Sequence, residues 1–117
     1  MRDFRAAQGF IIDMDGTFFL GDSLLPGALE LLQILNQKKL PFSFLTNNTS
    51  RSKEDYQKKL VGLGVKKEDA HIFTAGDATI SFLEHQYAEN RVFLMGTRSL
   101  RNSFRLAGIQ LVNRDPK

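Results

Sequence analysis

Two aspartates, Asp13 and Asp15, lie two positions apart directly after the short apolar run at residues 10–12. An ionised carboxylate can act as a nucleophile toward phosphorus. Its attack on a phosphate dianion is opposed by charge repulsion. A magnesium ion would offset this repulsion, and it could be held by the side chain of one aspartate and the backbone carbonyl of the other. The second carboxylate can protonate the leaving oxygen and then activate water. Asp-Gly is also a common turn sequence, so the two aspartates could instead be plain turn formers.

A second polar segment, Thr46-Asn47-Asn48-Thr49-Ser50, follows another apolar run. A hydroxyl and backbone amides at the end of a strand, just before a helix, can form a cradle for a phosphate group. The same residue types are common helix caps, so part of this segment could serve only to start a helix. If both polar segments bind one ligand, that ligand is an anion.

The elements that must position these residues alternate along the chain. Short apolar runs at residues 9–13, 41–45, 71–74 and 91–95 predict strands, and apolar residues at helical spacing predict a helix after each. The first helix is expected to follow Pro26, the second to be capped by Ser50 or Ser52, and the last to end at Gly108. Right-handed strand–helix units build an α/β fold with a parallel sheet and flanking helices, whose ligands bind at the carboxyl ends of the strands.

The composition is that of an ordinary globular protein, with 42% hydrophobic and 25% charged residues in 117. The formal net charge is +3, but the paired lysines are spread over predicted helix ends and turns, so we expect no nucleic-acid partner. The absence of cysteine excludes disulfides, thiolate catalysis and cysteine-ligated zinc. The run at residues 10–12 is too short for a membrane span, so we expect a cytoplasmic protein without a membrane partner.

Residues 13–17 resemble the nucleophile motif of haloacid dehalogenase-like phosphatases. Thr46-Asn47-Asn48 resembles the second motif of the subgroup that contains 4-nitrophenylphosphatases and NagD-like sugar phosphatases. The resemblance implies a Rossmann-like parallel sheet, magnesium as the cofactor and a small phosphorylated metabolite as the substrate. It also implies a reaction through an aspartyl-phosphate intermediate.

The same resemblance assigns roles to particular residues. Asp13 would be the nucleophile and a magnesium ligand, and Asp15 would be the general acid and base and part of the metal site. Thr46, Asn47 and Gly16 would bind the phosphate of the substrate.

The resemblance extends over an N-terminal portion of the family's fold. Residues 1–88 match the first half of the core, and residues 89–117 match the first strand–helix unit of the cap domain. Two later motifs of the family, a lysine and an acidic pair, are not found in this chain. Lys66 and Lys67 lie in a predicted loop and not at a strand end, and Gly76-Asp77 is interpreted as a helix-start turn and not as the acidic pair. We therefore expect this chain to be weakly active or inactive by itself.

The family places the nucleophile strand in the centre of its sheet, with one neighbour from the part not found here. The strand at residues 9–13 is therefore expected to be an exposed edge, and the chain to self-associate through it. Phe18 and Phe19, just past the aspartate turn, could line a substrate entrance or pack in the core.

The sequence also suggests two alternative functions. One is a non-catalytic α/β module that binds phosphate or a partner protein. The other is a receiver-like phosphoacceptor domain, which is disfavoured because the strand at residues 71–74 carries no acceptor aspartate.

Overall fold

The computed structural model describes residues 4–112, which form a three-stranded parallel sheet, a short antiparallel hairpin and four α-helices. In chain order the elements are β1 (Phe10–Asp13), the hairpin strands β2 (Phe19–Leu20) and β3 (Ser23–Leu24), α1 (Ala28–Gln37), β4 (Phe42–Thr46), α2 (Lys53–Gly62), β5 (Ile72–Thr74), α3 (Ala75–Gln86) and α4 (Arg98–Leu106). The predicted α/β fold is confirmed. The first three predicted strands differ from β1, β4 and β5 by no more than one residue at either end.

The parallel sheet has the strand order β1-β4-β5. Its register aligns Ile12 with Phe44, and Phe44 with Ile72. Helix α1 connects β1 to β4, and α2 connects β4 to β5. Both connections move the chain in the same direction across the sheet, so right-handed crossovers place both helices on the same face.

The core lies between that face and the two helices. Ile12, Phe44 and Ile72 point into it from the sheet, because alternate residues of a strand face the same side. The helices add further buried residues, namely Ala28, Leu32 and Leu35 from α1 and Tyr56 and Leu60 from α2. Phe18 and Phe19 are also buried, and the Phe18 ring meets Phe44 edge-on with the ring centroids 4.9 Å apart. Of the two interpretations of Phe18 and Phe19, core packing is therefore correct.

The opposite face of the sheet carries exposed apolar side chains. Ile11 is 76% exposed, Leu45 40% and Phe73 45%. Within the described residues β1 pairs with β4 alone, so it is an edge strand, as the sequence predicted. Sheets of parallel strands are usually covered on both faces, which makes this bare face and edge unusual.

The segment after α3 differs from the prediction. The predicted strand at residues 91–95 is wrong as a regular strand, because Val92 forms only an isolated parallel bridge with Leu111. The Val92 amide donates to the Gln110 carbonyl at 2.8 Å, and the Val92 carbonyl accepts from Val112 at 2.9 Å. A single bridging residue cannot sustain a ladder. The division of the chain at residue 88 stays a prediction, and residues 113–117 of the predicted cap unit lie outside the described residues.

Two helix starts also show how local chemistry sets the boundaries. Helix α1 follows Pro26 and begins at Ala28, with Gly27 as its N-cap in a left-handed conformation with φ of 83°. Ser52, and not Ser50, caps α2, where its side chain and that of Asp55 form a reciprocal capping box. No helix within residues 4–112 combines the length and apolar character needed to cross a lipid bilayer.

Candidate active site

The carboxyl ends of the three parallel strands carry Asp13, Thr46 and Thr74. Asp13 is aligned with Leu45, so Thr46 lies one position further along the neighbouring strand. Thr46 is in turn aligned with Thr74. Ligands of α/β folds bind at this edge of the sheet. The structure therefore brings the two polar segments found in the sequence to adjacent strand ends.

The turn after β1 positions the first aspartate. The Met14 carbonyl accepts a hydrogen bond from the Thr17 amide at 3.1 Å, and the Thr17 hydroxyl donates to Oδ2 of Asp13 at 3.0 Å. Gly16 has φ of 82°, a conformation that favours glycine because it has no Cβ. The Gly16 amide donates to the Phe19 carbonyl at 2.8 Å, so it already has a partner. The predicted contact between Gly16 and phosphate stays a prediction.

Asp15 is held by a side chain of α2, the helix that follows the second polar segment. The Tyr56 hydroxyl donates to Oδ2 of Asp15 at 3.2 Å. Tyr56 is 1% exposed and Thr46 3%, whereas Asp13 and Asp15 are exposed. Burial raises the pKa of Tyr56, and the charge of Asp15 raises it further, against an opposing contribution from Thr46. Tyr56 is therefore a protonated donor at neutral pH.

The loop after β4 is held by its own side chains. The Asn48 amide donates to Oγ1 of Thr46 at 3.1 Å. Oδ1 of Asn48 accepts from the Ser50 amide at 2.9 Å and from the Ser50 hydroxyl at 2.6 Å. Asn47 is exposed beside Thr46. Ser52 caps the next helix, so no residue from Thr46 to Ser50 is its N-cap.

The two aspartates offer only oxygen ligands, which suit a hard cation such as magnesium. Within residues 4–112 there is no cluster of three or more acidic, histidine or cysteine side chains that could hold a metal. Magnesium usually keeps several waters and takes only one or two protein carboxylates, so this sparse ligand set fits it. It does not fit a cation that needs a cage made entirely of protein ligands.

The segment Gly76-Asp77 is a helix start, as the sequence analysis interpreted it. The Thr74 amide donates to Oδ2 of Asp77 at 2.9 Å, and the Asp77 amide donates to the Thr74 hydroxyl at 3.0 Å. Lys53 Nζ lies 2.9 Å from the same Oδ2. Burial disfavours ionisation of Asp77, but the hydrogen bonds from Thr74 and Lys53 outweigh it, so the pKa of Asp77 lies below its ordinary value. Asp77 therefore links the starts of α2 and α3.

Tyr56 is a candidate site residue that the sequence did not single out. The signal that could have revealed it is chemical, because a buried tyrosine hydroxyl usually needs a hydrogen-bond partner. Lys66 and Lys67 precede β5, at the amino end of the sheet. Their position opposite to Asp13 agrees with the view that they are poor candidates for the family's lysine.

Comparisons with known proteins identify a matching family and several similar phosphatases. A family model for haloacid dehalogenase-like hydrolases matches residues 10–110. The chain is 34% identical over 102 residues to the sugar-phosphatase AraL of Bacillus subtilis, covering 87% of this chain and 38% of that protein. It is 28% identical over 102 residues to an acid sugar phosphatase of Staphylococcus haemolyticus, covering 87% of this chain and 39% of the relative.

A solved structure agrees with these matches. The crystal structure of a 4-nitrophenylphosphatase from Thermotoga maritima superposes with a TM-score of 0.85 and 41% sequence identity, covering 93% of this chain and 42% of that one. The chain thus spans about two-fifths of the length of these three proteins, with 38%, 39% and 42% covered.

Proposed function

Because this chain belongs to the haloacid dehalogenase-like hydrolases, we propose that it carries the nucleophile half of a magnesium-dependent phosphate-monoester hydrolase. The observation that carries the proposal is the register of β1 and β4, which sets Asp13 beside the strand end that bears Thr46. A nucleophile and a phosphate-binding hydroxyl are thereby adjacent at the edge where α/β folds bind ligands.

The proposed reaction has two steps. The Asp13 carboxylate attacks phosphorus, and the bond between phosphorus and the leaving oxygen breaks while Asp15 gives that oxygen a proton. Asp15 then takes a proton from water, which attacks the aspartyl-phosphate and releases inorganic phosphate. The Thr17 hydroxyl holds Oδ2 of Asp13, which leaves Oδ1 for the attack. Thr46 and Asn47 would bind the phosphoryl oxygens and stabilise the charge that moves onto them.

The proposed magnesium ligands are the Asp13 side chain and the backbone carbonyl of Asp15. A bound magnesium ion would neutralise charge on the phosphoryl oxygens and lower the repulsion between them and the nucleophile. The exposure of both aspartates leaves room for the waters that magnesium retains.

The proposed substrate is a small phosphorylated metabolite, since the relatives described above are named for sugar phosphates and 4-nitrophenyl phosphate. Those names also disfavour the alternative of a non-catalytic phosphate-binding module. Because the chain covers only 38% of the sugar-phosphatase AraL, we propose that it hydrolyses phosphate esters weakly by itself. The cytoplasmic location expected from the sequence stays a prediction.

The test is release of 4-nitrophenol from 4-nitrophenyl phosphate by this chain, with and without magnesium. We expect slow release that needs magnesium and that falls to the uncatalysed background in Asp13→Asn. Asp22→Asn is the matched control, because Asp22 is an exposed aspartate on the β2–β3 turn. Equal release by the parent and Asp13→Asn would refute the proposal, since the activity would then not come from this site.

A further inference from the structure

A phenol hydroxyl on α2 reaches the turn after β1 in the candidate active site. Tyr56 is separated from Asp15 by 41 positions in the chain, yet its hydroxyl donates to Oδ2 of that aspartate at 3.2 Å. Tyr56 thus contacts the proposed general acid.

Packing does not require this hydroxyl. The largest fully buried side chains of the described residues are otherwise apolar, namely Phe18, Phe19, Phe44, Phe104, Met14 and Leu60. A phenylalanine at position 56 would fill the same ring volume, whereas a buried hydroxyl is unfavourable unless it is hydrogen-bonded. The hydroxyl therefore calls for an explanation in the site it reaches.

The direction of the hydrogen bond follows from the chemistry of its two partners. An ionised carboxylate offers only acceptor atoms, so the phenol is the donor. A phenol has one proton to donate, and here it goes to Oδ2 of Asp15.

We propose that Tyr56 is a positioning residue that holds Oδ2 of Asp15, so that Oδ1 is the oxygen that exchanges a proton with the leaving group and with water. This inference rests on the proposed function, because it assigns a role beside the general acid. Tyr56 does not contact the substrate in this arrangement. It orients the Asp15 side chain, and thereby the proton that Asp15 exchanges, relative to the phosphoryl group.

The first test needs no enzyme turnover. The chain has two tyrosines and no tryptophan, so Tyr87→Phe leaves Tyr56 as the sole tyrosine and makes its ionisation visible by ultraviolet absorbance. In that background we expect a pKa of Tyr56 above 10.0, falling when Asp15→Asn is added. Glu89→Gln removes an exposed carboxylate outside the site and should leave the titration unchanged. If Asp15→Asn also leaves it unchanged, Tyr56 does not hold Asp15.

The second test asks whether the contact serves proton transfer. Tyr56→Phe should slow hydrolysis of an alkyl phosphate about 10-fold more than hydrolysis of 4-nitrophenyl phosphate, because a poor leaving group depends more on the general acid. The loss should appear in kcat, with KM little changed. Leu60→Val, a buried change on the same helix, should slow both substrates by the same factor.

The outcomes separate this inference from the proposed function. Equal loss on both substrates in Tyr56→Phe would show a purely structural role and overturn the inference. If the parent hydrolyses neither ester, the proposed function fails for this chain, and the tyrosine titration by itself decides whether Tyr56 holds Asp15.

Discussion

Replacing Thr46 by valine and by serine separates the structural role of its side chain from its proposed role in binding phosphate. Valine keeps the shape of threonine but removes the hydroxyl, whereas serine keeps the hydroxyl and removes a methyl group. Thr46 is 3% exposed, so either change acts in a buried environment. We expect the two variants to lose similar stability but to differ in phosphate binding.

The magnitudes follow from the contacts of Thr46. In Thr46→Val the Asn48 amide loses its acceptor at 3.1 Å, and an unsatisfied, partly buried amide costs about 1–2 kcal/mol of unfolding free energy. In Thr46→Ser the lost buried methyl costs about 1 kcal/mol. A hydrogen bond to a charged phosphate contributes about 1.5–3 kcal/mol, so Thr46→Val should bind phosphate about 10- to 100-fold more weakly.

Two measurements on the same samples check these values. Urea unfolding followed by circular dichroism gives the unfolding free energies, and amide NMR shifts during titration with inorganic phosphate and magnesium give the affinities. Thr46→Ser should bind within about 3-fold of the parent, because it keeps the donor. The reasoning is refuted if Thr46→Val binds phosphate as tightly as Thr46→Ser, or if the parent binds none.

Two further predictions concern the ion pair between Lys53 and Asp77 and the exposed edge strand β1. Because the pKa of Asp77 lies below its ordinary 3.8, its stabilising contribution is present above that pH and is lost as the pH falls through the folded-state value. Asp77→Asn should therefore be less stable than the parent by about 0.5–1 kcal/mol at neutral pH, as measured by urea unfolding. It should also lose less stability than the parent when the pH is lowered. Unfolding free energies of the two proteins that change in parallel with pH would contradict this. The bare edge and face around Ile11 should cause concentration-dependent association in sedimentation velocity, which Ile11→Lys weakens. The control is Leu106→Lys, at a residue of α4 that is 90% exposed, and it should leave the association unchanged. A parent that stays monomeric at high concentration would rule the association out.

Much of the candidate site could be predicted from the sequence, because its signals are local. A run of apolar residues that ends in Asp13 indicates a strand followed by a turn, and a parallel α/β fold then places the ends of neighbouring strands together. The Gly76-Asp77 helix start could be recognised for the same reason. Its capping hydrogen bonds join residues only three positions apart.

The tertiary structure decided whatever depends on contacts between distant residues. The bond from Tyr56 to Asp15 spans 41 positions and requires α2 to cross the same face of the sheet as the turn after β1. The predicted strand at residues 91–95 failed because a strand exists only with a neighbour, and Val92 finds one bridging residue, Leu111. The sequence by itself thus determined the motifs and the order of the three parallel strands and their helices, since residue type and spacing specify these locally. Which hydroxyl reaches Asp15, and which face of the sheet stays bare, depends on packing between segments far apart in the chain.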